Sequence, residues 1–260
     1  MAAQRSYGDE VVVLRTTQLG EADRILTLFG RERGKIRAVA RGVRRTTSKM
    51  GGRLEPFAVV DAQLYSKNPE DRSRLETVTQ AVTVESFTEA IIADFERYAA
   101  ASAMAESVDE IIDAEPAPLQ YALLIQGLRS LAGAERDPLL ELGSYLLRSL
   151  SLAGWEPSFN ECARCGEPGP HARVSFAAGG AVCASCGPSS GATTAAHIDT
   201  MRLLWALLAG NWRVALASDA ETRADASRIV KAYTNYHLDR PLRSFAAVDE
   251  AWRMRGAAGT

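Results

Sequence analysis

The sequence contains no run approaching the ~18 consecutive apolar residues of a membrane span. Met1 to Gly8 holds no apolar core of the kind a secretory leader needs, so nothing marks the chain for export. Histidine is scarce at three residues, and the four cysteines all lie between 162 and 186. A secreted disulfide framework would spread its cysteines through a small chain, so a cytoplasmic protein is expected. No G-x-x-x-x-G-K-[ST] phosphate loop is present, which leaves nucleotide hydrolysis unsupported. The zinc-deaminase pattern is not met either. His197 and His237 have no serine or cysteine nucleophile placed by a motif. Asp109 and Asp113 could imitate a two-carboxylate site, but with Glu106, Glu110 and Glu115 nearby they read as a solvated helix face. No enzyme is expected.

The chain also lacks a charge excess. Its 260 residues hold 30 Lys+Arg and 32 Asp+Glu, a net of −2, with 47% hydrophobic residues. Such composition belongs to a globular protein and argues, at face value, against a nucleic-acid partner. Division by region reverses the argument. Residues 1–80 carry 15 basic and 10 acidic residues, 81–157 carry 4 and 13, and 158–260 carry 11 and 9. Within the first third, Arg31, Arg33, Lys35, Arg37, Arg41, Arg44, Arg45, Lys49 and Arg53 accompany a single anion, Glu32.

Residues 10–17, 24–29, 35–43, 57–65 and 74–84 read as strands, rich in Val, Ile, Thr and aromatics and broken by turn residues. In the third, Ile36, Ala38 and Ala40 fall on one face and Lys35, Arg37 and Arg41 on the other. Gly30 to Gly34 forms a short turn that presents Arg31 and Arg33. Five short strands with one basic face suit a small barrel. A five-stranded OB-type barrel binds oligonucleotides on this face; an SH3-like barrel fits the strand count almost as well. Tyr7, Phe29, Phe57 and Tyr65 are available for base stacking, although aromatics in strands more often belong to a core.

From Ser86 the period becomes helical. Phe87, Ile91, Phe95, Tyr98, Ala105, Val108 and Ile112 predict one amphipathic helix ended by Pro116 and Pro118. Leu119, Leu123 and Leu128 predict a second. A third starts at Asp137 as N-cap and runs through Leu139, Leu142, Leu146 and Leu150. Beyond the cysteines, one helix carries Ile198, Met201, Trp205 and Leu208. Another opens on the capping pair Ser218 and Glu221 and carries Ala226, Val230 and Tyr233. The expected architecture is α+β: an OB-type domain over 1–82, then an α-helical domain over 83–260 with a zinc ribbon inserted at about 159–190.

Cys162-Ala-Arg-Cys165 and Cys183-Ala-Ser-Cys186 are two C-x₂-C pairs separated by 17 residues, a spacing that reads as a four-cysteine zinc site. Gly166 and Gly187 follow the pairs and favour tight turns. Val174–Phe176 and Ala181–Cys183 flank Gly179-Gly180 as a hairpin between the knuckles. Four thiolates fill a tetrahedral shell, so one Zn²⁺ per chain would be structural. A redox dithiol or an unused site is the competing reading. His171 would be a superfluous fifth donor.

The order of basic barrel, helical body and ribbon resembles the bacterial RecO family of recombination mediators. The resemblance rests on Leu19-Gly-Glu-Ala-Asp-Arg-Ile-Leu-Thr-Leu-Phe29, Gly34-Lys-Ile-Arg-Ala-Val-Ala-Arg-Gly-Val-Arg-Arg45, Ser48-Lys49, Gly51-Gly52 and Leu54-Glu-Pro-Phe57. The cysteine quartet and Leu242-Arg-Ser244 extend it. It implies an N-terminal OB-fold joined to a helical domain with a zinc ribbon. It further implies DNA repair and recombination: binding of single- and double-stranded DNA without sequence specificity, and annealing of complementary strands. With RecR, such a protein loads RecA onto DNA coated by single-stranded DNA-binding protein, whose C-terminal tail it contacts. A cytoplasmic, nucleoid-associated protein without membrane contact follows. Arg31, Arg33, Lys35, Arg37, Arg41, Arg44, Arg45 and Lys49 are the expected DNA-contacting residues, with Arg53 beside them. Two other classes stay open: a zinc-stabilised interaction adaptor with an incidental basic barrel, and a nuclease using acidic residues.

Overall fold

The computed structural model describes residues 5–258 except Thr47, Lys49, Pro69, Glu70, Arg72, Ser73 and Asp239. All five expected strands form: β1 (Ser6–Leu19), β2 (Asp23–Gly30), β3 (Gly34–Ala40), β4 (Ala58–Tyr65) and β5 (Glu76–Ser86). Hydrogen bonds close them into a barrel in the order β1-β2-β3-β5-β4, with β4 returning to β1. All pairings are antiparallel except β3 with β5, where Ala38 faces Glu76 and Val39 faces Thr77. The alternation in β3 is as expected: Ile36, Ala38 and Ala40 are buried and Arg37 is exposed. Val11, Val13, Leu26, Leu28, Val60, Ala62 and Leu64 join them in the barrel interior. Strand β2 departs from alternation because it is covered on both faces, Leu26 to Gly30 all being buried. Phe29 points out of the barrel onto Tyr121, edge to face at 5.3 Å between centroids.

Among the described residues eight helices follow: α1 (Thr88–Ile92), α2 (Phe95–Ile111), α3 (Pro118–Gly133), α4 (Pro138–Leu152), α5 (Ile198–Ala209), α6 (Trp212–Leu216), α7 (Ala220–His237) and α8 (Phe245–Ala258). Between α4 and α5 lies a small sheet of β6 (Arg173–Ser175), β7 (Gly180–Ala181) and β8 (Thr194–Ala195), in the order β7-β6-β8. Among the described residues, no helix is long and apolar enough to cross a membrane.

Several helical expectations need correction. The single helix expected over 87–112 is two, broken at Ala93-Asp94, where the Asp94 N–H turns back to Ile91 O at 3.3 Å. Phe95 and Tyr98 are exposed, and α2 instead buries Ala99, Ala100, Ala101, Ala103 and Met104. A periodicity weighted by large apolar residues misses an alanine face. Leu119 is likewise exposed, as are Ile198 and Trp205. Helix α7 is capped by Asp219, whose carboxylate accepts Thr222 N–H at 2.8 Å; Ser218 instead donates back to Ala215 O. Asp137 caps α4 as expected, accepting from Leu139 and Leu140.

A division at 82/83 falls inside β5, which runs on to Ser86. By contact, the chain forms two compact units, Met1–Asp94 with Ala105–Gly133 and Phe95–Met104 with Ala134–Thr260. The end of α2 and all of α3 belong to the barrel's unit through side chains such as Tyr121 and Asp109.

Candidate functional site

The loop between β3 and β4 is built as a stopper with charged tips. Val43 and Leu54 are buried in the barrel core, and Met50 packs against it. The backbone is pinned as well: Gly42 N–H donates to the Asp23 carboxylate at 2.7 Å and Arg44 N–H to Ala22 O at 3.0 Å. Gly42 has φ +66, a conformation open chiefly to glycine. Inward apolar anchors leave the arginines outside. Arg41, Arg44, Arg45 and Arg53 are exposed. The Arg44 guanidinium reaches Glu21 O at 3.0 Å, and Arg53 reaches Ala81 O at 2.9 Å. Arg24 and Glu55 clamp the base at 2.7 Å.

On the strands the cations divide into two groups. Arg37 projects from β3 and, like Arg41 and Arg45, is exposed with no carboxylate partner among the described residues. The others are engaged. Lys35 Nζ bonds the Asp109 backbone oxygen and lies 3.2 Å from its carboxylate. The same carboxylate takes Arg15 at 3.3 Å. Arg31 lies 3.6 Å from Glu10, and the Arg33 guanidinium sits 3.7 Å above the Tyr7 ring. Lys49 lies outside the described residues. Of the candidate stacking aromatics, Tyr7, Phe29 and Phe57 are buried and Tyr65 is half-buried. The clamp on Lys35 had no sequence signal, since Asp109 is 74 residues away. Asp23 and Glu55 had only a weak one, as polar residues flanking turns.

The cysteines converge. The Sγ atoms of Cys162, Cys165, Cys183 and Cys186 lie within 4.8 Å of one another, and Cys165 to Cys183 is 3.9 Å. A tetrahedral thiolate shell with metal–sulfur bonds of about 2.3 Å requires sulfurs about 3.8 Å apart, so the donor set fits a metal ion such as zinc. Two matching turns deliver it: Gly166 N–H bonds Cys162 O and Gly187 N–H bonds Cys183 O, both at 2.9 Å. Only Gly166 uses a left-handed φ, +73; Gly187 instead opens a short 3-10 turn. The expected hairpin forms as β6 paired with β7.

Burial pushes the Cys162 thiol up, but N–H groups of Cys183, Cys165 and Arg164 outweigh it and bring it down to about 6. Hydrogen bonding to the thiols of Cys165 and Cys183 pushes Cys186 up to about 12. One thiolate is stabilised and another resisted, and a bound cation would favour the thiolate form of all four. His171 is not part of the shell; its Nε2 lies 2.9 Å from Glu167 O.

Comparison with known proteins covers the regions of both features. A family model described as Recombination protein O N terminal matches residues 3–87, and one described as Recombination protein O C terminal matches 92–246. The DNA repair protein RecO of Streptomyces avermitilis is 47% identical over 247 residues, covering 94% of this chain and 99% of the relative. Those of Streptomyces griseus and a Nocardioides species are each 46% identical over the same shares. Matches of this extent, spanning both the strand-built N-terminal part and the cysteine-bearing helical part, leave one conclusion. The chain belongs to the RecO family of DNA repair proteins.

Proposed function

We propose that the protein is a recombination mediator that binds single- and double-stranded DNA through the outer face of β3 and the loop that follows it. The observation that carries this reading is the family match along both halves of the chain. The strand order supports an OB-type barrel, a scaffold suited to oligonucleotides. Arg37, Arg41 and Arg45 offer charge without a competing carboxylate among the described residues, and Arg44 and Arg53 extend the row. Phosphate neutralisation releases counterions and gives affinity without sequence preference. A charge-led site with few exposed aromatics holds backbones while leaving base edges free, which suits annealing. No nucleotide hydrolysis is required, and the protein is read as a non-enzyme of the cytoplasm, associated with the nucleoid. RecR, the tail of single-stranded DNA-binding protein and the RecA loading pathway are its proposed partners. The four cysteines would hold one zinc ion, which supplies a structural cross-link and no reaction step.

The test is titration of labelled single strands across a salt series. About five neutralised phosphates give a slope of log affinity on log salt of about −3.5. Annealing of complementary strands without ATP, with products of unchanged length, is expected alongside. A salt-independent affinity would sink the electrostatic reading; inert protein would favour an adaptor, and shortened products a nuclease.

A further inference from the structure

The turn that joins β2 to β3 carries Arg31, Glu32 and Arg33, and each is tied to a different residue of β1. Arg31 N–H donates to Glu10 O at 2.9 Å, and its guanidinium lies 3.6 Å from the Glu10 carboxylate. Glu32 N–H donates to Asp9 Oδ1 at 3.2 Å. Arg33 stacks on Tyr7, whose hydroxyl donates to the buried Glu76. Glu10 is itself engaged by the Tyr121 hydroxyl at 3.3 Å.

The middle tie is the unusual one. Asp9 is 4% exposed, and its Oδ2 has no hydrogen-bond partner among the described residues. A buried carboxylate with an empty oxygen is costly, and an apolar residue there would extend the interior formed by Val11 and Val13. The neighbouring backbone is fitted to it: a Cβ on Gly30 would meet Asp9 Oδ2 at 2.3 Å. Burial also holds the Asp9 carboxyl above its ordinary range.

We infer that Asp9 is a positioning residue for DNA binding, which fixes the turn so that Arg31 and Arg33 are presented as a preorganised pair of phosphate contacts. The inference rests on the DNA-binding reading and names a part of that site that the row of exposed cations does not contain. Preorganisation lowers the ordering cost paid when a strand is bound. Asp9 itself touches no phosphate.

Positioning and simple electrostatics predict opposite signs. If Asp9 acted only through its charge, its removal beside a polyanion site would raise affinity. If it positions the turn, D9A loses the acceptor for Glu32 N–H and weakens single-strand affinity about five-fold. D9N keeps an amide oxygen for that N–H and retains wild-type affinity or better. D9A also flattens the salt slope by up to about 1.4, the share of two single-strand phosphate contacts, which a merely structural lesion would not do. The experiment measures binding of a labelled thymidine oligonucleotide to full-length wild type, D9A, D9N and R31A/R33A across salt, with thermal unfolding of each.

If D9A does not fold, G30A decides, because its Cβ displaces the Asp9 carboxylate. It must weaken binding in the wild-type background and leave R31A/R33A unaltered. Equal gains in D9A and D9N overturn the inference, as does an R31A/R33A variant with wild-type affinity and slope. Wild-type protein that binds no DNA overturns the broader reading and this one with it. Wild-type binding that D9A leaves unaltered overturns this one alone.

Discussion

The barrel loop and the cysteine ribbon solve the same problem, holding irregular chain in place, by opposite means. The loop inserts Val43, Met50 and Leu54 into a core of sixteen buried residues and keeps its arginines outside. The ribbon's own cluster of buried residues is Cys162, Val182 and Cys183, with Ala178 and Cys186 packed on it. A segment of fewer than about 40 residues rarely buries enough apolar surface to fold unaided, and here two of the reactive side chains, Cys162 and Cys183, are part of the core. In the loop, the proposed function and the stability reside in different residues, so mutation should separate them. In the ribbon they coincide.

The largest expected effect breaks the ribbon and spares the barrel. Structural zinc is worth roughly 10–16 kcal/mol in small zinc modules at neutral pH. Protein purified without chelators should carry one zinc per chain, and a strong chelator or C162S should unfold the ribbon. The reporter is at hand: Phe176 in the ribbon packs against Tyr233 at 5.9 Å, and Tyr233 donates to Trp155 O at 3.1 Å. Near-ultraviolet signals from these aromatics should collapse while the barrel's far-ultraviolet signature persists. Metal-free protein with unchanged aromatic signals would refute the structural role.

Next in size is Asp137, which carries a helix cap and an ion network on one carboxylate. Oδ1 accepts from Leu139 and Leu140; Oδ2 takes Arg223 at 3.3 Å and Arg255 at 2.7 Å. Arg255 also pairs with Glu96, which fastens α8 to the start of α2. Loss of a cap costs about 1 kcal/mol and loss of a buried partner several. D137A should therefore cost about 3 kcal/mol in denaturant unfolding and leave DNA affinity unaltered. Weakened DNA binding in folded D137A would show that the two units do not keep their roles apart.

What the sequence revealed follows the same line between near and far. Strand β3 was legible because alternation is local: Ile36, Ala38 and Ala40 against Arg37 can be read within seven residues. The quartet was legible because C-x₂-C is a short-range signature, and Asp137 because a cap acts on its next turn. Asp109 was read as a solvated acid, whereas it is the clamp on Lys35 and Arg15, whose positions lie far upstream. Asp9 was passed over for the same reason, since its partner Glu32 lies in the turn beyond the neighbouring strand β2. Helix α8 went unseen because Ala246, Ala247 and Ala251 dilute the periodic signal of a buried face formed by Phe245, Val248 and Ala251.

The separability of charge and core in the loop gives a third prediction. R37A/R41A/R45A removes three exposed cations that hold no carboxylate among the described residues. Unfolding free energy should change by less than about 0.5 kcal/mol per site. The single-strand salt slope should flatten by about 2, as expected for three lost phosphate contacts. All sequences should weaken alike. A stability loss as large as that of D137A would mean the loop's charges are part of its scaffold, and the contrast with the ribbon would fail.

The smallest expected effect sharpens the boundary of the ribbon's support. His237 lies among Trp155, Tyr233 and Tyr236, at centroid distances of 5.4, 4.4 and 5.2 Å, and its Nε2 has no hydrogen-bond partner among the described residues. Burial lowers its pKa below the ordinary imidazole value of 6.5. Above that value the ring is neutral in folded and unfolded chains alike and adds no pH dependence. As the pH falls through it, the unfolded chain takes up the proton first, so stability declines until the folded pKa is passed. H237F keeps a ring in the cluster and removes the titration. Wild type should therefore lose melting temperature relative to H237F between about pH 7 and pH 5, with the zinc content of both followed in parallel. Parallel curves would show that the imidazole is solvated in the folded protein and that the aromatic cluster does not seal the ribbon's base.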